Sequence, residues 1–389
     1  MTDVAVTGVG VVSGFGHGVE PFWRGLLTGA SGLRPIRRFA VPSGPALGAE
    51  VPSLDPRTLV RTPAGRRIDC VSLMALAACR LALEDAGLVG AALEPARTGL
   101  ALGSAWGNLQ ETVVFLDRLH ARGAGNPLLF PNLVFNAPLS YASIELAVQG
   151  PTAMLSMQEA SGEAAIAWGA DAIADGAVDV CLAGGTDELD AVLHQVLREG
   201  KALASGAPRP LDPDADGPCP GEGAAVLVLE PLTRARVRGA RVYARLARSP
   251  GFAVPSPVHG WPRDPVPLAE GLAAVAADAD VVFAAASGRP QLDRVEAAAL
   301  ARALGDRRVA VTAVRGAVGE FGAAGALAAA AAALAVASGA VPPTLGLEPP
   351  ARSGLDVVVG SPRRGVVRVA VVDGLARGGV CCPLRMEAA

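Results

Sequence analysis

Two textures alternate along the chain: apolar runs broken by glycine, and stretches in which apolar positions recur every three or four residues. Residues 4–12 are β-branched and interrupted by glycine, as in a buried strand running into a turn. Residues 21–28 predict a short helix closed by Gly29. Residues 68–86 predict a longer helix closed by Gly87, with Leu73, Leu76, Ala77 and Leu83 on one face. Further strands are predicted at 99–103, 178–184 and 224–230, an amphipathic helix at 108–119, and at 161–174 a helix of small residues that must pack closely. After a turn of helix near 234, an edge-like strand is expected around 242–246. The second half repeats the texture, with helices at 268–277 and 293–304 and strands at 281–286, 309–313 and 366–373. Residues 380–384 are the expected hairpin partner of that last strand. Strands alternating with helices argue for an α/β architecture, and continuous apolar strands argue for sheets covered on both faces. An Arg- and Pro-rich stretch over 231–260 sets the expected division at 1–240 and 241–389.

Composition narrows the class. Of 389 residues, 51% are hydrophobic and 18% charged, enough for a large core and too apolar for wholesale disorder. The formal charge is −3 and aromatics are 4%, so neither a basic surface nor a base-stacking platform is expected, and nucleic acid is excluded as a partner. The six cysteines form no C-x-x-C and the four histidines no helical ligand spacing, so no metal or disulfide is expected. The N-terminus is acidic, without the basic start of a signal peptide. The uncharged stretch 321–337 is mostly alanine, which partitions poorly into lipid. It is expected as a helix buried in a soluble core, with no membrane association and a cytoplasmic location.

The motif catalogue excludes more than it finds. Gly8-Val9-Gly10-Val11-Val12-Ser13 follows a strand, but no helix opens there and the third glycine is missing, so dinucleotide binding is not expected. Gly221-Glu222-Gly223 precedes a strand and cannot cradle phosphate. The segment 150–162, GPTAMLSMQEASG, is more informative. A strand-like run reaches a sharp turn and then a small-residue helix, which places Glu159 at a helix N-terminus, facing solvent or a pocket.

Several long segments resemble the β-ketoacyl synthase, thiolase-like family nearly end to end. They include VAVTGVGVVSGFGHGVEPFWRGLLTGASGL (4–33), RRIDCVSLMALAACRLALEDAGL (66–88), FPNLVFNAPLSYASIELAVQGPT (130–152), DVCLAGGTDE (179–188), RPLDPDADG with PGEGAAVLVLE (209–230), and VPPTLGLE (341–348). The resemblance implies a five-layer αβαβα fold built from two similar halves. It also implies a Cys nucleophile that holds the acyl chain as a thioester, and two histidines that assist decarboxylation and condensation. None of the three is present. The nucleophile position holds Glu159, the first His position Ala285, the second His position Glu320, and the helper Lys position Arg315. The C-terminal glycine-rich loop reads Asp373-Gly374-Leu375-Ala376-Arg377-Gly378-Gly379.

This pattern is similar to the chain-length-factor, or ketosynthase β, subunits of type II polyketide synthases, although Glu159 departs from the Gln usual there. The resemblance implies a non-catalytic subunit with no cofactor of its own, paired with a Cys-His-His ketosynthase α. A phosphopantetheine-linked chain on an acyl carrier protein would reach the partner, and a tunnel at the shared interface would set polyketide or polyene chain length. The gating positions fall at Asn108, Glu111 and Phe115, expected on one helical face. Two alternatives stay open. One is a stand-alone enzyme using Glu159 and Glu320 as neighbouring acid and base on acyl-carrier-protein substrates. The other is a homodimeric acyl- or carrier-protein-binding protein, with Arg34, Arg37, Arg38, Arg61, Arg66 and Arg67 facing the acidic carrier. Ser161, Tyr141 and Asp187 are read as structural.

Overall fold

The computed structural model describes residues 2–41, 43–44, 46–63, 67–89, 93–348 and 353–389. Ten strands run in one path, and an eleventh, Gly16–His17, folds back on the first. In chain order they are β1 (Val4–Ser13), β2 (Thr98–Gly103), β3 (Thr152–Leu155), β4 (Val180–Asp187), β5 (Gly223–Pro231), β6 (Ala244–Ala247), β7 (Val281–Phe283), β8 (Ala310–Thr312), β9 (Val369–Val372) and β10 (Leu384–Glu387). The spatial order is β8-β7-β9-β10-β6-β1-β5-β4-β2-β3. Read outward from the centre, β1-β5-β4-β2-β3 and β6-β10-β9-β7-β8 follow one pattern, two antiparallel pairings and then two parallel ones. β1 pairs antiparallel with β6 and joins the halves.

The helices that build the layers and the site include α1 (Cys70–Asp85), α2 (Leu109–Arg122), α3 (Ala137–Leu146), α4 (Ser161–Ala174), α5 (Pro265–Val275), α6 (Pro290–Leu304) and α7 (Ala324–Ser338). Side chains alternate across the strands and so serve two cores. Ala225, Leu227 and Leu229 of β5 pack toward Ile166 of α4 and Leu327 of α7, whereas Val226 and Val228 pack toward Ala78 and Ala82 of α1. In the second half Val281 and Phe283 join the central core, and Val282 joins Leu268 of α5 and Leu300 of α6. The result is α1 and α3, sheet, α4 and α7, sheet, α5 and α6, the five layers expected.

Small residues in the middle layer are a consequence of this stacking. Residues 324–335 of α7 are all buried, so the uncharged alanine stretch is a core helix. Among the described residues no helix is long and apolar enough to cross a membrane. The two central helices cross at near-backbone contact: a Cβ on Gly162 would lie 2.8 Å from the Ala326 nitrogen, and one on Gly325 would lie 1.8 Å from Glu163 Oε1.

Two expectations are corrected. The strand expected at the edge near 242–246 is β6, with partners on both sides at the junction of the halves. The hairpin partner of β9 is β10 at Leu384–Glu387, while Val380–Cys381 pairs with Phe252–Ala253. Apolar patterning marks the whole stretch 380–387 as extended, and only the tertiary register assigns each part a neighbour.

The approach of β2 to α4 is equally tight. A Cβ on Gly103 would sit 2.0 Å from the Ser161 carbonyl oxygen, a backbone atom that cannot swing aside. Gly103→Ala should therefore cost roughly 3 kcal/mol, the upper part of the usual overpacking range. Chemical denaturation checks this, and an unchanged midpoint would refute the close contact.

Candidate functional site

Glu159 lies in the 3-10 turn Gln158–Ala160 that leads into α4. The turn forces Gln158 to a φ of 51°, a left-handed value uncommon for a side chain other than glycine. Ser161 secures the turn. Its hydroxyl donates to the Gln158 carbonyl at 2.6 Å and accepts from the Met157 amide at 2.9 Å. That is a structural role, as read from the sequence.

The turn does not aim Glu159 at solvent. The residue is 4% exposed, and its carboxylate is closed off by the C-terminal loop. Arg377 Nε donates to Glu159 Oε1 at 2.6 Å and the Arg377 amide donates to Oε2 at 3.1 Å. The Arg377 guanidinium also faces the Trp106 ring, 5.7 Å from its centroid. A carboxylate this buried needs a cation and directed N–H groups, and the loop supplies both.

The other positions marked in the sequence are Arg315, Glu320 and Ala285. Arg315, 2% exposed in the short helix Arg315–Val318, donates through Nη2 to the Glu159 carbonyl at 3.2 Å and lies 3.6 Å from Glu163 Oε1. Glu320 is held by Arg289 and by the Ser287 hydroxyl. Ala285 follows β7, and its amide donates to Glu296 Oε1 at 2.6 Å. Asp293 ties the 287–288 turn in place by accepting from the Ser287 and Gly288 amides at 3.1 and 2.9 Å. Arg289 and Ser287 were not singled out in the sequence. Their signal was weak, since each sits in a turn whose direction depends on Asp293.

Glu159 and Glu320 thus each have their own guanidinium, Arg377 and Arg289. Although burial works against it, the Arg289 cation beside Glu320 keeps that carboxyl below the usual carboxylate range. A sulfur does lie near: Cys382 Sγ is 3.8 Å from Met157 Sδ. Burial pushes this thiol up to about 12, so it is not a thiolate nucleophile at neutral pH. All six cysteines are free.

The three gating positions separate. Asn108 is the N-cap of α2, its Oδ1 accepting from the Glu111 amide at 3.2 Å, so its side chain is committed to the helix end. Glu111 has one buried oxygen without a partner among the described residues, and burial raises its carboxyl above the usual range. Phe115 meets Phe130 edge to face at 6.3 Å and stacks over Gly125. Tyr141 donates to Asn132 Oδ1 at 2.7 Å, and Asp187 accepts from the Ser104 hydroxyl and the amides of Ala105 and Trp106, both structural. Of the arginines expected to face a carrier, Arg38 is spent on buried Glu222 and Arg66 lies outside the described residues.

Glu163 is fully buried, and that burial pushes its carboxyl up to about 7 in spite of Arg315. A raised acid contributes stability below its unfolded value near 4.5 and loses it as pH climbs through about 7. Glu163→Gln should flatten that decline, worth on the order of 3 kcal/mol, between pH 5 and pH 8. Denaturation midpoints across that range check it, and parallel curves for the two proteins would contradict it.

Comparison with known proteins bears on what this arrangement descends from. Residues 1–235 match the model of the β-ketoacyl synthase N-terminal domain, and residues 269–348 that of the C-terminal domain. The chain is 33% identical to the tetracenomycin polyketide synthase ketoacyl synthase alpha subunit of Streptomyces glaucescens, over 89% of this chain and 88% of that one. It is 32% identical to the beta subunit of the same synthase, over 97% and 96%. Among solved structures, the ishigamide ketosynthase/chain length factor superposes with a TM-score of 0.91 at 29% identity, covering 100% of this chain and 99% of that one. The five-layer arrangement is the thiolase-like ketosynthase fold.

Proposed function

The chain belongs to the β-ketoacyl synthase family, and we propose that within it this protein is a non-catalytic chain-length-factor subunit that completes the tunnel of a Cys-His-His ketosynthase. Overall identity does not decide between α and β, because it is nearly equal to both. The carrying observation is the state of Glu159. At the position where the family holds its acyl thioester stands a buried carboxylate clamped by Arg377, with Ala285 and Glu320 where imidazoles are required. A carboxylate so engaged is a poor nucleophile, and an acyl group on it would be an anhydride, not a storable thioester. It also offers no N–H to an enolate oxygen. Condensation then belongs to the partner, which receives the phosphopantetheine-linked chain from an acyl carrier protein.

The surface supports a protein partner. Helix α2 buries none of its residues within this chain. Around it Leu116, Leu128, Phe130 and Ile144 are each more than half exposed, joined by Val114, Val134 and Phe135. An apolar area of this kind on a soluble chain marks an interface. Strand β3 ends the sheet with one edge unpaired among the described residues, and such an edge accepts a strand from another subunit. Chain length would then be set where α2 meets that partner, with Phe115 and Glu111 still positioned to act and Asn108 acting as the cap that fixes where α2 begins.

The isolated chain should not elongate acyl-carrier-protein substrates, and Glu159→Cys alone should not change that, since no imidazole is restored. Together with its ketosynthase it should support elongation, and Phe115→Ala should lengthen the product. Mass spectrometry of the products checks all three. Equal elongation by the ketosynthase without this chain would overturn the proposal, and an unaltered product spectrum would remove Phe115 from the gate.

A further inference from the structure

Away from Glu159, a cavity of about 260 Å³ lies where the last turns of α1 and α3 meet the start of β2. Leu83, Leu88, Leu93 and Leu146 give it an apolar wall, and two guanidinium groups, Arg61 and Arg80, also line it. Arg80 projects from α1, and only 14% of its side chain is exposed. It is paired with Glu145 of α3, itself 1% exposed, but Nη2 stands 3.7 Å from the carboxylate, too far for a hydrogen bond. Glu145 is already engaged by the segment ahead of α1. Its Oε2 accepts from the Arg61 amide at 2.8 Å, and its Oε1 accepts from the Thr62 amide at 3.0 Å and from the Thr62 hydroxyl. Arg80 Nε and Nη2 are enclosed with no acceptor among the described residues. A guanidinium carries five N–H donors and keeps its charge at neutral pH, so enclosing one without acceptors is costly. Burial above all, and then the Arg61 cation, lower the Arg80 pKa in spite of Glu145, as expected of a cation short of counter-charge.

We propose that this cavity binds a small monocarboxylate with an apolar body, its carboxylate held by Arg80 and Arg61 and its body laid on the leucine wall.

The lining selects that class. A carboxylate brings two acceptors in one plane, which matches the guanidinium fork. Thr98, also in the wall, spends its hydroxyl on the Glu94 carbonyl at 2.8 Å, so recognition of the charge falls to the arginines. The leucines reward an aliphatic or aromatic body and give nothing to a bare, hydrated inorganic anion. Glu84 at the rim is exposed and adds a negative charge there, which disfavours a dianion more than a monoanion. The volume is below that of sites for drug-sized ligands, so the body is short. None of the lining residues takes part in the surroundings of Glu159, and nothing in the cavity requires a thioester or a partner subunit.

The experiment titrates the full chain calorimetrically with hexanoate, and in parallel with hexanamide, acetate and inorganic phosphate. Hexanoate should bind one to one, about tenfold or more tighter than each of the other three. Arg80→Gln should weaken hexanoate by about tenfold and leave hexanamide unchanged, and Arg80→Lys, which keeps the charge without the fork, should fall between. Hydrogen exchange on wild type places the ligand. Hexanoate should slow exchange at residues 61–62 and 143–147 and leave residues 156–163 unaltered. No binding at millimolar hexanoate, equal binding of hexanamide, or binding of phosphate or acetate as tight as hexanoate would each overturn the proposal. So would protection confined to residues outside the cavity. If Arg80→Gln does not fold, the ligand series and the exchange pattern on wild type still decide.

Discussion

Glu159 puts a negative charge at the start of the central helix, where almost no water reaches. The structure around it answers that charge. Arg377 comes from the C-terminal loop, and its guanidinium is itself packed on Trp106 from the segment that leads into α2. One ion pair thereby ties together the centre of the first half, the end of the chain and the helix that carries the apolar face. A neutral thiol there would demand none of this. In this sense the residue at 159 and the loop around it are held by one another.

The same position explains the unusual density of ionisable groups behind the site. Glu159, Glu163, Asp293, Glu296 and Asp373 are buried and Glu320 is partly buried, while Arg289, Arg315 and Arg377 are the guanidinium groups within reach. Carboxylates with a dedicated arginine, such as Glu320, stay ionised. Those left over must be neutralised by protons or satisfied by backbone amides, as Asp293 is by the amides of Leu211, Ser287 and Gly288. The interior is therefore a charge lattice with a fixed internal logic, unlike the thiolate–imidazole arrangement that condensation requires.

Part of the surface around α2 stays uncovered in one chain. A fourteen-residue helix, α2, with no buried residue is poorly justified by its own contacts, since isolated helices of this length are marginal in water. The exposed Leu116, Leu128, Phe130 and Ile144 and the free edge of β3 place unsatisfied apolar surface and unsatisfied backbone on one chain, and a protein partner answers both demands.

Much of this was legible beforehand. Hydrophobic periodicity located most of the strands and helices, and Gly87 marked the end of α1. Those features depend on residues close in sequence or on residue type alone. What the sequence could not determine was pairing across distance. The strand at 244–247 proved central, Asn108 proved a cap, and Glu159 found Arg377, 218 residues away, in place of open solvent. Which cation meets which carboxylate depends on burial and on angstrom-scale distances that exist only once the layers have stacked. Local chemistry is written along the chain, whereas the partnership of charges is a property of the folded interior.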